Sequence, residues 1–129
     1  MECRQLHGCK TGDAKITKGY RLPAAYVIHT VGPVWQGGGR GEDELLTSCY
    51  RRSIAHCHKH SLSSVAFPAI STGIYRFPAD RAARIAVGAT LEAIEPETSL
   101  EQIVFCCFSE ESARLHDQAF SEVIANRAR

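Results

Sequence analysis

Between Phe67 and Pro78 the sequence reads FPAISTGIYRFP, and its residue types suit the recognition of an anion. Ser71 and Thr72 bring hydroxyl donors, the backbone brings N–H groups, and Gly73 lets the chain approach a ligand closely. Amides exposed between a strand and a helix form a natural anion site. Tyr75 can lie against a sugar ring and keep its hydroxyl for hydrogen bonding. The same residues also make an ordinary turn, with Tyr75 and Phe77 plugging the domain edge. Composition does not separate the two readings.

Other residues with chemical potential carry weaker signals. Gly37 to Gly39 match neither the dinucleotide fingerprint nor the Walker A loop, since no Lys follows at the required spacing. A flexible surface loop is the preferred reading. Phe108, at the end of an apolar run, can stack on a nucleobase or simply pack in the core, and core packing is preferred. HCHKH, from His56 to His60, places two histidines on one helix face, but no third ligand can be named, so no metal is expected. His29 reads as a hydrogen-bonded core histidine, and Asp80 and Asp117 as helix-surface carboxylates. No nucleophile and base stand at facing positions, so no catalytic residue and no cofactor are expected.

The elements that would position these residues alternate along the chain. DAKITKGY and AAYVIHTVGP read as strands, and the second runs into the glycine-rich loop QGGGRGEDE. DELLTSCYRRSIAHCHKH has Leu45, Leu46, Cys49, Tyr50, Ile54 and Cys57 at helical spacing, with Glu42 to Glu44 at the favourable end of the dipole. SVAFPAI reads as a strand, PADRAARIAVGATLEAI as a helix with Pro78 in its first position, and EQIVFCCF as a buried strand. Ser109 is placed to cap a last helix striped by Leu115, Ala119, Phe120, Val123 and Ile124. This alternation predicts an α/β fold, with a mostly parallel sheet covered on both faces and ligands bound beyond the strand C-termini.

The chain has 129 residues, enough for one domain spanning 1–129 with a single core. Lys plus Arg number 15 against 14 Asp plus Glu, so no overall field favours nucleic acid or an anionic membrane. The apolar runs are too short to cross a bilayer, and the start has no secretory signal. A cytoplasmic protein is expected. Its six cysteines then read as small core residues of a reducing compartment rather than as a disulfide scaffold.

Taken in order, GDAKITKGYRLPAAYVIHTVGPVW, SVAFPAISTGIYRFP and IVFCCFSEE resemble a macrodomain, the ADP-ribose-binding α/β module. The likeness covers nearly the whole chain. It is nearest to the branch holding ADP-ribosyl hydrolases and O-acetyl-ADP-ribose deacetylases. It implies a three-layer α/β/α sandwich in which Ser71, Thr72, Gly73, Ile74 and Tyr75 hold the diphosphate and distal ribose, with Phe108 near the adenine. It implies ADP-ribose or an ADP-ribosylated protein as partner. The family's first strands, most of its first helix, its Asn-Ala-Ala-Asn stretch and its second glycine loop have no counterpart in this sequence. The expectation is therefore an N-terminally truncated domain with weakened binding. Hydrolase or deacetylase activity would arise only if the missing residues were supplied, and a non-binding interaction fragment is the further alternative. An open sheet edge is expected to favour self-association.

Overall fold

In the computed structural model, residues 10–19, 26–68, 70, 75–107 and 109–127 are described. Strands β1 (Ala14–Lys18) and β2 (Tyr26–Thr30) pair antiparallel, with Ile16 opposite Ile28. Helix α1 (Glu42–Lys59) leads to β3 (Ser64–Pro68), and α2 (Ala79–Ala93) carries the chain to β4 (Gln102–Cys106). β3 and β4 pair parallel, with Phe67 opposite Phe105, and α3 (Glu110–Arg127) follows. The α/β alternation is that read from the sequence, but strand direction is mixed among the described residues. Only residues 19–25 separate β1 from β2, too few for a helical crossover, so the chain reverses. The segment between β3 and β4 contains α2, which allows the parallel return.

The core forms where the helical and strand periods coincide. Leu46, Tyr50 and Ile54 of α1 meet Phe67, Phe77 and the small face of α2 at Ala82, Ala86 and Ala89. The aromatic rings interlock, with Tyr50 5.1 Å from Phe67 and Phe67 stacked on Phe105 at 5.9 Å. A second cluster joins Ala83 and Val87 of α2 to Ala119 of α3. Alanines at this contact let the helices approach closely. The Ser112 N–H donates to Ser109 Oγ at 3.0 Å, so the expected cap of α3 is present. Pro78 lies at the N-cap of α2, one residue ahead of its expected position.

Three readings are corrected. β4 is not a buried strand, since Gln102, Val104 and Cys106 are exposed while Ile103 and Phe105 are half-buried. Its odd-numbered residues pack toward the helices, and the alternate face is open among the described residues. In α3, Leu115, Ala119 and Val123 face α2, whereas Phe120 and Ile124 are 49% and 45% exposed. One residue advances a helix face by about 100°, which turns these two beyond the α2 contact. The cysteines also divide. Cys49 and Cys57 are buried, but Cys106 is exposed and Cys107 half-buried. No helix among the described residues is long and apolar enough to cross a membrane.

Candidate ligand site

After β2 the chain enters the glycine-rich loop, and the loop closes on a carboxylate of its own. The N–H groups of Gln36 and Gly38 each donate to Glu42 Oε2 at 2.9 Å, and that of Arg40 to Oε1 at 2.6 Å. Glu42 is only 2% exposed. The Gln36 amide above all, with those of Gly38 and Arg40, holds its carboxyl down to about 2 from an ordinary 4.5, against the opposing pull of burial. Gly37 and Gly38 have φ of 92° and 90°, the left-handed backbone that turns these amides inward. The flexible surface loop read from composition is therefore a nest closed around Glu42, which takes the amides of Gln36, Gly38 and Arg40. Glu42, read only as a first-turn charge, is the residue that sequence reasoning missed. Its signal was the absence of a Ser, Thr, Asp or Asn cap before α1, where Gly41 stands instead.

Trp35 connects this loop to the segment holding Tyr75. Its backbone N–H donates to the Tyr75 carbonyl at 2.8 Å, and its ring meets Phe77 at 4.9 Å between centroids. The Arg81 guanidinium lies 5.3 Å from the centroid of the same ring. Arg81 Nε reaches both oxygens of Asp43, at 2.8 and 2.9 Å, and its Nη2 also donates to Oδ2. Between Tyr75 and Phe77, Arg76 has φ of 59°. That conformation costs an L-residue roughly 1–2 kcal/mol and persists only where the neighbours impose it. At the other end of the loop, Ile70 packs against the core cluster that holds the buried Tyr50 phenol. Burial pushes that phenol well above the ordinary tyrosine range, so it stays protonated.

Of the residues expected to bind, Tyr75 is half-buried at the edge of this arrangement. Ser71, Thr72, Gly73, Ile74 and Phe108 lie outside the described residues. His29 Nε2 pairs with Thr17 Oγ1 at 2.9 Å, as a structural histidine should, although it is half-buried rather than in the core. Asp80 and Asp117 are exposed. His56 Nε2 is engaged by the Ala14 carbonyl at 2.9 Å. Among the described residues no group of three or more His, Cys, Asp or Glu is arranged to hold a metal.

A thiol and an imidazole not paired in the sequence reading also meet, with Cys107 Sγ 3.7 Å from His116 Nδ1. Nδ1 lies 2.8 Å from the Ser112 carbonyl, which can only accept, so this nitrogen carries the proton and cannot take one from the thiol. The pair is not an activated nucleophile. It borders a cavity of about 340 Å³ between α2, β4 and α3, lined largely by apolar side chains including Val87, Phe105 and Phe120. Neither Trp35 nor Tyr75 lines it.

Comparison with known proteins gives these features a context. The family model for the Macro domain matches residues 1–86. A Macro domain-containing protein of Mesorhizobium japonicum is 60% identical over 119 residues, which are 92% of this chain and 68% of that relative. The Oceanobacillus iheyensis macrodomain with ADP superposes with a TM-score of 0.87 at 32% identity, over 98% of this chain and 67% of that one. The Trypanosoma brucei macrodomain in complex with ADP-ribose gives a TM-score of 0.81 at 39% identity, over 91% of this chain and 49% of that one. The chain thus spans about two thirds of the length of the first two, and half of the third.

Proposed function

The chain belongs to the macrodomain family, and from that premise we propose that it binds ADP-ribose, free or carried on a protein. The loop from Ser71 to Tyr75 takes the diphosphate and distal ribose, and Phe108 lies against the adenine. Residues 1–129 act as one domain. The observation that carries the reading is the likeness to the Trypanosoma brucei macrodomain in complex with ADP-ribose, at 39% identity. The hydrogen bond that the Tyr75 carbonyl accepts from the Trp35 N–H adds support, since a residue already held in place loses less entropy on binding. The amides of Gln36, Gly38 and Arg40 have no part in it, because Glu42 already occupies them.

Calorimetric titration with ADP-ribose tests the reading. Saturable heat is expected for the wild-type chain, and Gly73→Glu is expected to abolish it by placing a carboxylate in the diphosphate path. No heat at millimolar ADP-ribose removes the reading.

Self-association through an open strand edge is the second part of the proposal. Val104 and Cys106 on the exposed face of β4 support self-association, because uncovered apolar surface invites burial against a second copy. A concentration-independent monomer mass by light scattering is the outcome against it.

A further inference from the structure

We infer that Trp35 is a positioning residue for Tyr75, with the Asp43–Arg81 pair holding its ring in place. The inference rests on the ADP-ribose reading above, since it concerns the Tyr75 end of the proposed ligand loop. Trp35 grips the turn after that loop at two points: its N–H binds the Tyr75 carbonyl at 2.8 Å, and its ring packs on Phe77. The intervening Arg76 is left-handed at φ 59°, a conformation that a non-glycine residue gives up unless both neighbours are fixed. Phe77 is 2% exposed and anchored in the core, so the turn cannot relax from that side. The ring of Trp35 is confined in turn by the Arg81 guanidinium at 5.3 Å and by the backbone of Gly38. Arg81 itself is oriented by the fork of contacts to Asp43 at the start of α1. The chain of contacts runs from the first turns of two helices to a single carbonyl. Loosening it frees the Tyr75 backbone without touching the ligand.

The test uses Arg81→Gln and Trp35→Phe beside the wild-type chain, each titrated with ADP-ribose by calorimetry. Amide hydrogen exchange at Trp35 is followed without ligand, and Trp35, the only tryptophan in the sequence, supplies the fluorescence signal. Trp35→Phe keeps the backbone donor but loses the wider indole that Arg81 faces, so its affinity is expected to fall in the same direction as that of Arg81→Gln, by about threefold, a change of under 1 kcal/mol. Arg81→Gln is expected to weaken binding about tenfold, to speed exchange at the Trp35 amide and to move Trp35 emission to the red. Its melting temperature should stay close to wild type, because the Arg81 and Asp43 side chains are both about two-fifths exposed. Unchanged affinity in Arg81→Gln overturns the inference, whatever the exchange shows. Absence of binding by the wild-type chain instead overturns the ADP-ribose reading. Exchange at Trp35 in Arg81→Gln then decides alone whether the clamp exists, and an unchanged rate sinks it.

Discussion

Glu42 sets the acid response of the loop that it closes. Its folded pKa, about 2, lies below the ordinary 4.5, so the unfolded chain binds its proton first as pH falls. The stability that it contributes is complete above pH 4.5 and is lost as pH drops toward 2. Glu42→Gln is expected to lower the melting temperature at pH 7 and to flatten its dependence on pH between these values, as read by thermal denaturation across the acid range. An unchanged slope would assign the acid response to other carboxylates. Gly38 makes a sharper case. A Cβ there would lie 2.9 Å from the Trp35 ring, on backbone with φ of 90°. Gly38→Ala is therefore expected to cost about 1–3 kcal/mol in urea unfolding and to shift Trp35 emission. At this scale the sequence was readable where chemistry is local, as in Ser109 with Ser112. Glu42 and Trp35 were not readable, because their partners are set by the path of the loop and not by a repeating spacing.

The helices differ in how much of their packing the pattern revealed. In α1 the predicted stripe is the observed one, with Leu46, Cys49, Tyr50, Ile54 and Cys57 buried and Leu45 half-buried. In α3 the stripe was drawn too wide, since periodicity marks apolar residues but not which neighbour arrives to cover them. Substitution should separate the two classes of apolar residue in the α2–α3 pair. Ala83, at 1% exposure, faces Ala119 across a close contact, so Ala83→Leu is expected to destabilise by about 1–3 kcal/mol through overpacking. Phe120→Ser, at a side chain 49% exposed, is expected to cost about 1 kcal/mol. Chemical denaturation of both variants checks the pair. A larger loss at Phe120 than at Ala83 would reverse the assignment.

For the whole molecule, the two strand pairs leave apolar surface in the open, with Val104 40% exposed on β4. Val104→Lys is expected to reduce concentration-dependent association in light scattering and to lower the melting temperature less than a core substitution would, because that side chain is 40% exposed. Association that ignores this charge would place the contact elsewhere. The sequence by itself determined the α/β alternation and most of the helix faces that build the core. Each of these follows from residue type and short-range period, which the backbone geometry of helix and strand imposes locally. Only the tertiary structure decided that β1 and β2 run antiparallel, that the glycine-rich loop is filled by Glu42, and that Trp35 holds Tyr75. These depend on where distant segments meet, and contact between residues far apart in the chain leaves no spacing to read.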